Sequence, residues 1–127
     1  MDEIVLTLPN GPEWHGVAHF VLSGLAARLD LTLEALEDWQ LALCELLARQ
    51  PGDGTVRIVF RISPESLETR FGPVSSQVVE ELEREEEEGV GLRRVLSTIT
   101  DDVHLESKNG DSWVVLRRAI VRPGSRR

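Results

Sequence analysis

Asn109-Gly110 is the pair of residues that most restricts how this chain can fold. It lies within Lys108-Asn109-Gly110-Asp111, between the β-rich runs Val103-His104-Leu105-Glu106-Ser107 and Trp113-Val114-Val115-Leu116-Arg117-Arg118-Ala119-Ile120. A tight two-residue hairpin loop needs positive φ at both central positions, and Asn-Gly meets that need at the least steric cost. The spacing therefore predicts an antiparallel hairpin near the end of the chain. A second strand pair is written upstream. Val56, Ile58, Phe60 and Ile62 alternate with Arg57 and Arg61, the pattern of a strand with one wet face. Ser63-Pro64-Glu65 turns the chain into Ser66-Leu67-Glu68-Thr69-Arg70-Phe71, and Gly72-Pro73 ends that strand. Ile4-Val5-Leu6-Thr7-Leu8 adds a short N-terminal strand, closed by Pro9-Asn10-Gly11-Pro12.

Between these strands the apolar period changes to that of helices. From Trp14 to Leu29 the residues Trp14, Val17, Val21, Leu25 and Leu29 trace a stripe. Thr32 is placed to cap a second helix, on which Leu36, Trp39, Leu43, Leu46 and Leu47 share a face before Pro51-Gly52-Asp53-Gly54 stops it. Residues 75–88 read as a polar helix, either at the surface or mobile, with only Val78, Val79 and Leu82 to bury. Gly89-Val90-Gly91 then opens a helix whose Leu92, Val95, Leu96 and Ile99 recur at helical spacing. The order predicts an α+β fold. It is a two-layer α/β sandwich, with one mixed, mostly antiparallel sheet and helices packed on one face.

Charge and cysteine count narrow the function. Fourteen basic against 22 acidic side chains give a net charge of −8, which argues against nucleic acid or an anionic membrane as the main partner. The single cysteine, Cys44, excludes an internal disulfide and suits a cytoplasmic setting. No apolar run reaches the roughly 18–20 residues of a membrane span. The length fits one domain over residues 1–121, with a basic tail at 122–127. His15 and His19 are four apart on one helix, a spacing that can bind zinc, but no third ligand is indicated and no metal site is expected.

The element order and three stretches resemble the ATP-binding domain shared by gyrase B subunits, sensor histidine kinases and bacterial anti-sigma-factor serine kinases. This is the GHKL superfamily with its Bergerat-type sandwich, and small size favours the last group. Leu41-Ala42-Leu43-Cys44-Glu45-Leu46-Leu47-Ala48-Arg49 is similar to the helix where the family carries a glutamate followed four residues later by asparagine. Glu68-Thr69-Arg70-Phe71-Gly72-Pro73 resembles its Asp-x-Gly-x-Gly segment, and Gly89-Val90-Gly91-Leu92 its second glycine box. The resemblance implies that Glu45 corresponds to the base that positions the attacking group, and that Arg49, Arg70, Gly72, Gly89, Gly91 and Leu92 mark the nucleotide pocket. Arg49 then stands for the amide that holds Mg²⁺, and a guanidinium carries only donors. Arg70 stands for the carboxylate that accepts from adenine, so a donor faces a donor. Val74 stands for the next glycine of that box. Seven glutamates between Glu80 and Glu88 crowd the lid region with charge that repels a triphosphate.

Gly89 and Gly91 are either a phosphate cradle or a chain turn, and a glutamate from Glu86 to Glu88 could itself fold onto the free N–H groups of that helix start. Glu45 is either a surviving base or an i, i+4 ion-pair partner for Arg49. Trp14, Trp39 and Trp113 are expected in the core by default, with an interface anchor as the second reading for Trp14. The resemblance implies a bacterial regulatory protein that binds a sigma factor or an anti-sigma-factor antagonist, with a homodimer allowed and no cofactor expected. Its alternatives are an active Mg-ATP-dependent serine/threonine kinase and a sensor of a small anion held by Arg49 and Arg70.

Overall fold

The computed structural model describes residues 2–84 and 91–120. The expectations for Gly89, for Val90, for the Glu85 to Glu88 run and for the 122–127 tail lie outside these residues. Strand β1 (Asp2–Pro9) and a short 3₁₀ turn (Pro12–Trp14) lead into helices α1 (His15–Leu29) and α2 (Leu33–Ala48). Strands β2 (Thr55–Ile62) and β3 (Ser66–Gly72) follow, then α3 (Ser76–Glu83) and α4 (Leu92–Ile99), then β4 (Asp102–Lys108) and β5 (Asp111–Ala119). The strands form one sheet in the order β1-β2-β3-β5-β4. Each pairing is antiparallel, so the parallel component of a mixed sheet does not occur among the described strands. Asn109 and Gly110 have φ of 55° and 84°, the pair of positive values that the β4–β5 hairpin requires.

Period-two alternation sorts the sheet into two faces. Leu8, Val56, Ile58, Phe60, Leu67, Phe71, Val114 and Leu116 form one core with Leu22, Leu25, Trp39, Leu43 and Leu46 of the helices. Thr69 is the polar member of that inward row. It is fully buried because its Oγ1 accepts the indole N–H of Trp39 at 2.8 Å. Thr32 caps α2 as expected, accepting the Ala35 N–H at 3.1 Å.

Two elements sit differently from the periodicity reading. Helix α1 buries Ala18, Leu22, Leu25 and Ala26, while Trp14 and Val17 are exposed. An apolar residue stands on nearly every side of α1, so the pattern alone leaves its rotation open. Helix α3 is anchored rather than superficial. Its Val78 and Leu82 are buried, and the Arg93 guanidinium of α4 donates to the Leu82 carbonyl at 2.8 Å.

Candidate functional site

Glu45 and Arg49 lie on the last turns of α2, one helical turn apart, so their side chains meet. Arg49 Nη1 donates to Glu45 Oε1 at 2.8 Å and to the Glu45 carbonyl at 2.9 Å. Its Nε reaches across to α3 and donates to Glu81 Oε1 at 3.1 Å, while Gln77 donates to the other Glu81 oxygen at 3.2 Å. Burial works against the charge on Arg49, but the hydrogen bonds to Glu45 and Glu81 outweigh it and raise its pKa further above the ordinary arginine value. The result is a three-residue clamp that fastens the end of α2 to α3. Glu45 is thereby paired with a fixed cation, and Arg49 offers no lone pair to a metal. Sequence spacing gave the Glu45–Arg49 half of the clamp. Glu81 was missed, since it was counted only as one of the acidic run.

Gly91 caps the N-terminus of α4, and Leu92 behind it is buried in the core. Arg70 is elsewhere. Its neighbours Thr69 and Phe71 point to the helices, so Arg70 points to the opposite face of the sheet, where it pairs with Glu68 at 3.4 Å and with Glu106. The expectation that Arg49 and Arg70 share one hollow is therefore corrected, because the sheet separates them. Gly72 belongs to the same outer face. A Cβ there would come within 2.6 Å of the Trp113 ring, so the missing side chain is what lets the indole lie against the sheet. Trp113 is accordingly on the outer face and half-buried rather than in the core.

That outer face is a charge mosaic. Across five strands the register runs Glu3, Arg61, Glu68, Arg117, Asp102, alternating in sign. Arg61 donates to Glu3 at 2.8 Å and lies 3.8 Å from Glu68. The next row runs Val5, Val59, Arg70, Val115, His104. Val59 is 9% exposed and Val115 1%, although no helix among the described residues packs on this face. On edge strand β4 the His104 ring bridges Asp102 at 2.9 Å and Glu106 at 3.1 Å. The hydrogen bond to Glu106, then that to Asp102, raises the His104 pKa above its usual 6.5, and the same contact lowers that of Glu106.

A third surface is apolar. On the outward side of α1, Phe20 is 80% exposed, with Val17 and Trp14 exposed beside it. Gly16 and Gly24, one turn to either side of Phe20, add no side chains beside it, and the space above each is open. Among the described residues, no helix is long and apolar enough to cross a membrane.

With the clamp, the mosaic and the exposed helix face in place, comparison with known proteins adds a direction. The chain is similar to proteins named serine-protein kinase RsbW. The relative from Listeria innocua is 29% identical over 139 residues, covering 91% of this chain and 87% of its own length. That from Bacillus subtilis is 26% identical over 133 residues, covering 86% and 81%. No protein-family model matches the chain. Both relatives are bacterial proteins and both are named as serine-protein kinases.

Proposed function

We propose that this chain is a bacterial, cytoplasmic regulatory protein of the anti-sigma-factor type. It acts by binding a sigma factor or an anti-sigma-factor antagonist, and its nucleotide site has lost its function. The observation that carries this reading is the Arg49 clamp. The position where the resemblance asks for a metal-holding amide is a guanidinium, and both carboxylates beside it are taken up by that guanidinium. These residues do not suit Mg-ATP, because the cation they would need to hold is already supplied by Arg49. The partner docks on the outward face of α1, where an exposed Phe20 and Trp14 offer aromatic anchors of the kind that dominate protein interfaces. The resemblance also allows a homodimer, which light scattering would register as twice the chain mass.

The second reading is an active serine/threonine kinase, supported by the retained Glu45 and by the names of the RsbW relatives. A thermal melt with Mg-ATP separates the two. A ligand at a hundred times its Kd adds about 2.7 kcal/mol, which raises Tm by several degrees in a chain of this size. No shift is expected, together with calorimetric binding of a sigma factor or antagonist that Phe20→Glu abolishes. A shift with Mg-ATP and phosphate transfer to a serine of the antagonist would establish the kinase instead. Failure to bind either protein class would overturn both.

A further inference from the structure

The outer face of the sheet holds a groove of about 130 Å³ bordered by Arg57, Val59, Arg61, Arg70, Lys108 and Trp113. It lies on the side of the sheet away from the helices and from the Arg49 clamp. Four of its side chains are cationic, in a chain whose net charge is −8. Arg61 and Arg70 are balanced internally by Glu3, Glu68 and Glu106. Arg57 and Lys108 are not: neither makes an ion pair or side-chain hydrogen bond among the described residues. The register explains why. Arg57 stands between Thr7 on β1 and Gly72 on β3, two neighbours with no charge to offer. Lys108 is opposite Asp111 at the hairpin end, and the two side chains form no ion pair. The one carboxylate in the groove, Glu3, is engaged by Arg61 at 2.8 Å. Val59 and Trp113 contribute an apolar wall, and the indole keeps its place because Gly72 beneath it has no Cβ.

We infer that this groove is a binding site for a small organic anion, a carboxylate or phosphate monoester carried on a flat apolar body. The planar fork of Arg57 matches two oxygens of an oxyanion, and Lys108 adds a second positive charge. The Trp113 ring and Val59 accept the flat body, which inorganic ions lack. The site is independent of the α1 docking face, so its failure would leave the partner-binding reading untouched.

The test is calorimetric titration of the full chain with phenyl phosphate, inorganic phosphate, benzamide and a polyglutamate peptide at low salt. Phenyl phosphate is expected to bind saturably, with a Kd on the order of a millimolar or below, and benzamide not at all. Arg57→Gln combined with Lys108→Gln should weaken phenyl phosphate by at least about tenfold, with Tm unchanged because neither side chain is paired. Thr7→Glu provides a second variant, since it gives Arg57 an internal counterion across the β1–β2 pair and should abolish binding while Arg57 remains in place. Trp113→Leu should weaken phenyl phosphate and leave inorganic phosphate alone. Absence of saturable binding, or wild-type affinity in both cationic-site variants, overturns the proposal. Equal affinity for inorganic and phenyl phosphate overturns the flat-body requirement, and Arg57-dependent binding of polyglutamate alone would make the groove a protein-docking surface instead.

Discussion

Arg49 engages two carboxylates from different helices, and its chemistry follows from both contacts together. Arg49→Asn restores an amide where the resemblance expects one and leaves Glu45 and Glu81 without their cation. With the pairs about a quarter exposed, the cost should be about 1–2 kcal/mol, a fall of several degrees in Tm. If the clamp is what excludes nucleotide, Mg-ATP should raise the Tm of this variant and not that of the wild type. His104 sets a pH dependence of definite sign. Its pKa is raised on folding, so its stabilisation is whole below the ordinary histidine value of 6.5 and is lost as pH rises through the raised value. Glu106, with its pKa lowered from 4.5, stabilises above that value and loses the contribution as pH falls through the lowered one. Urea midpoints measured near about pH 6 and about pH 9 should therefore differ more for the wild type than for His104→Asn.

At the scale of elements, α1 and β3 show where pattern does and does not suffice. Helix α1 has apolar residues all round, and packing chose Ala18, Leu22, Leu25 and Ala26 for the core. Leu22→Ala should cost about 2–5 kcal/mol in chemical denaturation, whereas Phe20→Ala should stay within about 0.5 kcal/mol and act only on partner binding. Strand β3 has a weaker pattern than β2, yet its alternation is present. Leu67, Thr69 and Phe71 alternate with Glu68 and Arg70, which by itself puts Arg70 on the face away from the helices. That period-two signal decides the side of Arg70, whatever the likeness of the segment to a glycine box. Gly72 ends that strand beneath the Trp113 ring. Gly72→Ala should displace the indole at a cost of about 1–3 kcal/mol, visible as a change in tryptophan fluorescence along with the lower Tm.

At the scale of the molecule, the sheet order places β2, β3 and β5 between two neighbours each, and β1 and β4 at the edges. Amide exchange should be slowest in the three central strands, where the core is also densest, and faster in β1, whose residues are mostly exposed. Exchange in β1 as slow as in β3 would mean that its free edge is covered in solution, as a homodimer could do. Residue order alone is enough for the β2–β3 pair, the Asn109-Gly110 hairpin of β4 and β5, the Thr32 cap and the α+β class. Each of these rests on residues close together in the chain, where local sterics and period decide the outcome. Closure of the two layers brought Glu81, 32 residues from Arg49, into place to complete the clamp. It likewise decided which side of α1 is buried, and that Arg57, Lys108 and Trp113 border one groove. Those outcomes depend on which surfaces meet when the layers close, and contact between residues distant in the chain leaves no period in the sequence to read.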